Sequence, residues 1–194
     1  MLRKANQPTP RIAPVEPPYD DATAAALERL GRPLALFRLF ARRPDRANAI
    51  HGWGRYYLSR ALALSVRHRE LVIDRTTARC GAEYEWGIHI SVFADRAGLS
   101  RAQVRSLTIG HPDDPCWTDP ADVAVLRAVD SLHERCDLSD AEWDALVAAV
   151  GDDGALDLML LCGWYHAISY VARASRLAAE AETPTFDSVA EPEA

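Results

Sequence analysis

The sequence predicts an all-α fold, and three observations support this prediction. Alanine, leucine and arginine are abundant among the 194 residues, whereas isoleucine, valine and threonine are too scattered to indicate strands. Apolar residues recur at helical spacing along most of the chain. Capping residues and prolines stand where these periodic segments begin, and glycines stand where they end. Apolar residues make up 48% of the chain, which is enough for a sizeable core in one domain.

Local signals mark the ends of the predicted helices in the first part of the chain. Asp20 or Asp21 can cap the first helix through its carboxylate, and Gly31 can end it. Pro33 and Pro44 each suit the first turn of a helix, where a missing N–H group leaves no bond unmade. These signals predict three short helices before residue 63.

Similar signals organise the rest of the chain. Gly98 ends the helix 82–97, which carries Glu85 and His89, and prolines break any helix in the loop 108–120. Ser139 and Glu142 form a capping box at the start of a helix that Gly151 ends. The predicted helices cover residues 20–30, 33–41, 44–62, 67–79, 82–97, 100–107, 121–136, 139–151 and 154–180.

Composition divides the chain into three parts. Residues 1–19 hold five prolines and no periodic pattern, so we predict an extended arm that is disordered or wraps a neighbouring subunit. Residues 20–182 carry the periodic segments and form the helical domain. Residues 183–194 are acidic and contain prolines, which predicts a flexible tail that frays.

Charge and cysteine usage exclude several classes of protein. The formal net charge of −6 argues against a general nucleic-acid binder. Cys80, Cys116, Cys136 and Cys162 are far apart and contain no C-x-x-C pair, so a disulfide scaffold is not expected. No secretory signal follows the start, and the most apolar stretch, 158–172, is too short and too polar to span a membrane. We therefore expect a cytoplasmic protein without membrane partners.

The segment Cys80-Gly-Ala-Glu-Tyr-Glu-Trp-Gly-Ile-His89 concentrates ionisable groups within ten residues. On a helix, Glu85 and His89 are one turn apart and share a face, so the carboxylate can orient the ring and raise its basicity. Two adjacent stripes of this helix each contain both ionisable and apolar residues, whereas a surface helix usually has them on separate faces. The pair is either a proton-transfer site or a structural pair at a subunit interface.

Other candidates in the sequence have two interpretations each. Cys80 stands near a helix N-terminus, which favours a reactive thiolate, but Glu83 and Glu85 oppose one, and a buried structural thiol is the alternative. The Gly52-Trp53-Gly54 triplet either admits a ligand or forms a packing notch. His166 is either a core residue or a direct participant.

Patterns for metals and nucleotides are missing from the sequence. It contains no H-E-x-x-H motif, no metal-ligand spacing, no G-x-G-x-x-G motif and no P-loop. We therefore predict neither a metal nor a cofactor, and the expected partner is a small-molecule substrate.

Two neighbouring motifs carry a family resemblance. Glu70-Leu-Val-Ile-Asp-Arg75 followed by the segment Cys80–His89 resembles the carboxymuconolactone decarboxylase and alkylhydroperoxidase D superfamily. The likeness is greatest to the branch with a C-x-x-E-Y-E-W-x-x-H signature; it covers residues 30–180 in helix pattern and about twenty residues in specific motif. The resemblance implies an AhpD-like helical bundle that assembles into homo-oligomers, trimers or hexamers.

The chain departs from the peroxidase branch of this superfamily at its redox centre. Glu70 and His89 stand where that branch has its glutamate and histidine. The two cysteine positions fall on Ala82 and Glu85, and Tyr84 replaces a histidine between them. Peroxide reduction by a dithiol needs an attacking and a resolving thiol, and neither residue supplies one.

The decarboxylase branch implies acid/base chemistry without a cofactor on a lactone acid. By this resemblance, His89 is the general acid/base, Glu85 orients it, and Glu70 relays protons, while Tyr84 or Cys80 contacts the substrate. The aromatic and cationic side chains expected at the substrate are Trp53, Trp86, Arg75 and Arg79.

Two other functions remain open from the sequence. One is a peroxidase-like oxidoreductase that uses Cys80 alone with an external thiol. The other is a non-catalytic, oligomeric small-molecule-binding protein that has kept the fold and lost the chemistry. The sequence does not reveal the substrate.

Overall fold

All regular secondary structure in the described part of the chain is helical. The structure is a computed structural model that describes residues 9–190. Its helices are α1 (Asp21–Leu30), α2 (Ala35–Phe40), α3 (Pro44–Tyr57), α4 (Val66–Arg79), α5 (Glu83–Phe93), α6 (Arg101–Ile109), α7 (Pro120–Arg135), α8 (Asp140–Ala174) and α9 (Phe186–Ala190). The predicted all-α class is confirmed.

The capping signals read from the sequence lie where the helices begin. The Asp20 carboxylate accepts a hydrogen bond from the Thr23 N–H at 2.7 Å, which satisfies one of the free donors of α1. Ser139 and Glu142 form the predicted capping box at the start of α8. Gly151 adopts φ 74° and bends α8 into two halves, where the sequence predicts two separate helices.

The last long helix ends earlier than the sequence predicts. It stops at Ala174, whereas the apolar pattern predicts helix to residue 180. Arg176 takes a left-handed conformation with φ 56°, and the Leu177 N–H then donates to the Ala172 carbonyl at 3.0 Å. This closure satisfies a terminal carbonyl of the helix and turns the chain away from its axis.

Helix α4 is the centre of the bundle, since α5, α6, α7 and α8 all pack against it. The main core joins α4, α7 and α8 through fully buried side chains such as Leu71, Leu126 and Leu161. A second apolar cluster lies under the N-terminal helices and includes Leu36 and Ile168. The region where α4, α5 and α8 meet lies between these two clusters.

Both ends of the described chain lie against the bundle. In the predicted arm, the Arg11 N–H donates to the Ser175 carbonyl at 2.9 Å. In the predicted tail, residues 186–190 form α9, and the half-buried Phe186 ring lies 5.0 Å from the buried ring of Trp86. This aromatic contact joins α9 to α5. Residues 1–8 of the arm and 191–194 of the tail lie outside the described residues.

No helix in the range 9–190 combines the length and the apolar composition needed to span a membrane.

Candidate active site

A cavity of about 490 Å³ opens between the N-terminal helices α1–α3 and the facing sides of α5 and α8. Its walls are mostly apolar, and buried polar side chains of Glu85, His89 and Tyr165 form its floor. Arg29, Arg32 and other cationic side chains line it on the exposed side. The apolar lining includes Leu36, Phe40, Ile50, Ile88, Trp164 and Ile168. A concave apolar pocket with a few convergent polar groups is the usual form of a small-molecule site.

A buried hydrogen-bonded chain crosses the cavity floor. His89 Nδ1 lies 2.9 Å from Glu70 Oε2, and His89 Nε2 lies 3.0 Å from the Tyr165 hydroxyl. Glu85 Oε1, one turn earlier on α5, lies 3.6 Å from the same Nε2 atom. The imidazole therefore connects a fully buried carboxylate on α4 with a phenol on α8 that faces the cavity.

Arg69 supplies the positive charge that balances Glu70. Its guanidinium lies 2.6 Å from Glu70 Oε1, and it is 5.0 Å from the centre of the Phe93 ring. A buried carboxylate without such a partner would carry a large desolvation cost. Arg69 thereby allows Glu70 to remain an acceptor for His89.

The surroundings of His89 favour its protonated form. Burial disfavours the imidazolium, but the charges of Glu70 and Glu85 and their hydrogen bonds outweigh it and raise the pKa of His89 to about 10. At neutral pH both ring nitrogens then donate: Nδ1–H donates to Glu70, and Nε2–H donates to the Tyr165 oxygen. The Tyr165 hydroxyl proton is left free to donate toward the cavity.

Two further acidic groups at the site have unusual surroundings. Asp74 is buried on α4, and neither of its carboxyl oxygens has a hydrogen-bond partner among residues 9–190. Burial, followed by the charge of Glu70, raises the pKa of Asp74 well above its ordinary value, which favours the neutral carboxyl form. Burial also raises the pKa of the Tyr165 phenol, which stays a hydrogen-bond donor. Glu85 Oε2 is buried and likewise finds no partner in the described chain.

The structure brings together three of the predicted site residues and adds three more. Glu70, Glu85 and His89 meet as the sequence predicts. Sequence reasoning missed Arg69, Asp74 and Tyr165. Asp74 carries a usable signal, because it follows Glu70 by four residues and so shares its helix face. Tyr165 carries none, since its role depends on how α8 packs against α5.

Tyr84 and Cys80 lie apart from this cavity. The Tyr84 hydroxyl accepts the Leu36 N–H at 3.0 Å and donates to Glu180 at 2.7 Å, so it ties α2 to the segment that follows α8. Cys80 follows the last residue of α4 and lines a different cavity with His133. The predicted substrate contacts of Tyr84 and Cys80 do not occur at the His89 cavity.

The predicted cationic contacts to the substrate also need correction. Arg75 is 2% exposed and donates to Asp130 and to the carbonyls of Ser106, Leu107 and Gly110. Arg79 also binds Asp130, at 2.8 Å. Asp130 on α7 thus engages both guanidiniums, and the end of α6 engages that of Arg75. The sequence shows their charge but not these partners.

The two predicted aromatic contacts lie outside the cavity as well. Trp86 is fully buried against Phe186. Trp53 is 48% exposed and stacks on Trp164, with 6.5 Å between ring centres, and it is Trp164 that lines the cavity. A Cβ at Gly54 would meet no atom of residues 9–190 within 4 Å, so this cavity-lining glycine does not form a packing notch among them.

Two clusters within residues 9–190 bring potential metal ligands within 4.8 Å of one another. The first is Glu70, Asp74 and His89, at the floor of the cavity. A cation there would compete with the Arg69 guanidinium for Glu70, and with the proton that the raised pKa of Asp74 favours on its carboxyl. These residues fit proton transfer better than metal binding. The second cluster lies beside Cys80.

The chain matches no protein family model and no curated protein sequence. Its fold does match solved structures. An uncharacterized peroxidase-related protein from Silicibacter sp. TM1040 superposes with a TM-score of 0.76 at 18% identity, covering 96% of this chain and 100% of its own. The debrominase Bmp8, in complex with 2,3,4-tribromopyrrole, superposes with a TM-score of 0.68 at 16% identity, covering 88% of this chain and 92% of its own. The chain therefore has the AhpD-like all-α fold.

Proposed function

We propose that this protein is a cofactor-independent acid/base enzyme of the decarboxylase or lyase type. Its substrate is a small, largely apolar lactone, keto or carboxylic acid. The observation that carries this proposal is the buried Glu70–His89–Tyr165 chain at the floor of an apolar cavity. Such a chain can hold a proton in a dry site and deliver it at one point.

The reaction we infer is loss of CO₂ followed by protonation at carbon. The bond between the carboxylate and its α-carbon breaks, and its electron pair moves into the adjacent carbonyl or unsaturated lactone to give an enolate. The Tyr165 hydroxyl donates a hydrogen bond to the enolate oxygen. A proton from the His89–Tyr165 pair then goes to carbon, and His89 regains a proton from water.

Each carboxyl group has a separate part in this scheme. Glu70 holds the imidazolium in orientation through Nδ1. Glu85 lines the cavity, and its Oε2 atom, which has no hydrogen-bond partner within residues 9–190, is the acceptor for the substrate or a water molecule. Asp74 has no hydrogen-bond partner in the described chain, and its raised pKa favours the uncharged carboxyl beside Glu70.

The charges around the cavity favour an acidic substrate. Arg29, Arg32 and Arg55 line it with exposed side chains, and His51 lies near them. A carboxylate held at these guanidiniums would leave the apolar body of the molecule over the floor. These residues replace Arg75 and Arg79 as the candidates for substrate recognition.

The fold comparisons and the motif agree with an enzyme of the carboxymuconolactone decarboxylase and alkylhydroperoxidase D superfamily. The Bmp8 structure holds a small halogenated ring, which supports a small organic ligand for this fold. A redox reaction of Cys80 receives less support, because the thiol does not line the cavity that holds His89.

We also propose that the protein forms a homo-oligomer, a trimer or hexamer as the resemblance implies. Helix α8 exposes Leu156, Leu160 and Tyr170, at 53%, 42% and 65% exposure. Exposed apolar side chains on one helix favour contact with a second copy. Light scattering after gel filtration tests this, and a monomer at all concentrations would contradict it.

A substrate screen tests the function. Lactone acids, β-keto acids and organic peroxides are offered to wild type, His89→Gln and Cys80→Ser, and both acid consumption and peroxide consumption are measured. The proposal predicts turnover of an acid that falls by ~10²–10⁴-fold in His89→Gln and persists in Cys80→Ser. Peroxide turnover that Cys80→Ser abolishes would replace the proposal with the redox function.

A further inference from the structure

The second cluster of potential ligands lies on three helices that the sequence separates widely. Cys80 follows the end of α4, His133 lies on α7, and His166 lies on α8. One ligand atom from each lies within 4.8 Å of the other two. Cys80 is buried and the histidines are half-buried beside a cavity of about 600 Å³. No motif spacing links these residues, which is why the sequence predicts no metal site.

The two imidazoles of this cluster are in direct contact through ring nitrogens. His133 Nδ1 lies 2.9 Å from His166 Nε2, while the ring centres are 5.1 Å apart with 29° between the planes. His166 Nδ1 lies 2.8 Å from the Cys162 carbonyl, so that nitrogen carries a proton and donates it. In the neutral ring His166 Nε2 therefore presents a lone pair, and only a single proton lies between the two rings.

We propose that Cys80, His133 and His166 bind one borderline-soft divalent transition metal ion, for which Zn²⁺ is the probe. A thiolate with two imidazoles is a donor set that suits this class of ion. The ion takes the place of the proton between the rings: His133 carries its proton on Nε2 instead of Nδ1, and the thiol proton of Cys80 passes to solvent.

The two imidazole nitrogens allow this with a small adjustment. Two nitrogens bound to one tetrahedral Zn²⁺ at about 2.0–2.1 Å stand roughly 3.3 Å apart, so the rings must separate by a few tenths of an ångström. The Cys162 carbonyl already fixes the orientation of His166, as an outer partner does in metal sites.

The neighbouring arginines bind groups other than the proposed ligand atoms. Arg79 binds Asp130, and Arg173 donates to the backbone carbonyl of Cys80, so neither pairs with the thiol sulfur through these bonds. Their positive charges oppose a dication, so the ion must be held by direct bonds to the thiolate and the imidazoles.

A second observation independently points to a ligand in this cavity. Ser169 lines it, is fully buried, and its hydroxyl has no hydrogen-bond partner in residues 9–190. A buried hydroxyl without a partner costs stability unless something binds it. With three protein ligands, a tetrahedral ion keeps a fourth position for water or a small anion, and the Ser169 hydroxyl is available to that group.

The test is metal titration of the full-length, reduced protein after treatment with a chelator. Zn²⁺ affinity is measured in competition with a chromogenic chelator, and Co²⁺ is added to record its absorption spectrum. We expect one tightly bound ion per chain and a thiolate-to-cobalt charge-transfer band. In Cys80→Ser the band disappears and Zn²⁺ affinity falls at least ~10-fold, since loss of even an outer partner costs this much.

Control variants locate the ion. Cys136→Ser removes an exposed thiol outside the cluster, and His111→Ala removes an exposed imidazole outside it; both should leave the affinity unchanged. If Cys80→Ser fails to fold by circular dichroism, the half-buried His133→Ala replaces it with the same expected loss. No bound ion in wild type, or loss of the ion only in a control variant, would overturn the proposal.

Discussion

Substitution of His89 by glutamine should change how the stability of the protein depends on pH. In the folded chain the pKa of His89 is raised to about 10, against an ordinary 6.5. Between these values the native ring keeps its proton while the unfolded ring has lost it. The stabilisation is therefore fully present below pH 6.5 and is lost as pH rises through about 10. The glutamine side chain does not titrate, so the variant lacks this dependence.

The size of the effect follows from the interval between the two pKa values. At about 1.36 kcal/mol per pH unit, the protonated His89 contributes on the order of 5 kcal/mol to the free energy of unfolding, and this is lost across the interval. This is an upper limit, because the Glu70 and Arg69 side chains can rearrange once the ring is neutral. This loss is large compared with the free energy of unfolding of a typical domain, which is roughly 5–15 kcal/mol. It equals the whole stability of a marginal domain.

Urea denaturation followed by circular dichroism at a series of pH values measures this. The free energy of unfolding of wild type should fall more steeply with pH than that of His89→Gln. Comparing the two slopes removes the contribution of cysteines and other groups that titrate in both proteins. Equal slopes between pH 6.5 and 10 would refute the argument that Glu70 and Glu85 hold a buried imidazolium.

Four further substitutions test the roles of other residues. Tyr165→Phe should lower turnover of the acid substrate by ~10²-fold, since one hydrogen-bond donor to the enolate is lost, with little change in melting temperature. Asp74→Asn should raise the melting temperature at neutral pH and less so near pH 4. Burial and the charge of Glu70 raise the pKa of Asp74, so this carboxyl costs stability as pH rises above its ordinary pKa; no gain at neutral pH would contradict this. Gly54→Leu should fill the cavity and weaken ligand binding in calorimetry, whereas Gly52→Leu, on the same helix outside the cavity, should not; equal effects would place the ligand elsewhere. Arg75→Ala should cost about 3–5 kcal/mol in urea denaturation, and a normal stability with a raised KM would restore Arg75 to the substrate site.

Local sequence signals predicted the helices well because each signal acts within a few residues. The Asp20 cap, the Ser139–Glu142 capping box and the turn at Gly151 all depend on nearest neighbours along the chain. The end of α8 was missed because Arg176 takes a left-handed conformation that an arginine seldom adopts. The position of α9 depends on a contact with Trp86, which is about a hundred residues away in the sequence.

The candidate site was predictable where its residues share a helix. Glu85 and His89 lie one turn apart on α5, and the motif around Glu70 placed that residue beside them. Tyr165 comes from α8, and only the packing of that helix brings its hydroxyl to His89. The charge of Arg75 indicated a ligand, but its partners are Asp130 and backbone carbonyls, which no local pattern encodes.

The most direct test of the acid/base function is turnover in D₂O of the acid that the screen identifies. Mass spectrometry and NMR of the product would locate hydrogen derived from solvent. We predict one deuterium on the carbon that lost CO₂, added to a single face, and loss of this product in His89→Gln. Deuterium on both faces, or turnover that His89→Gln leaves unchanged, would show that the Glu70–His89–Tyr165 chain does not deliver the proton.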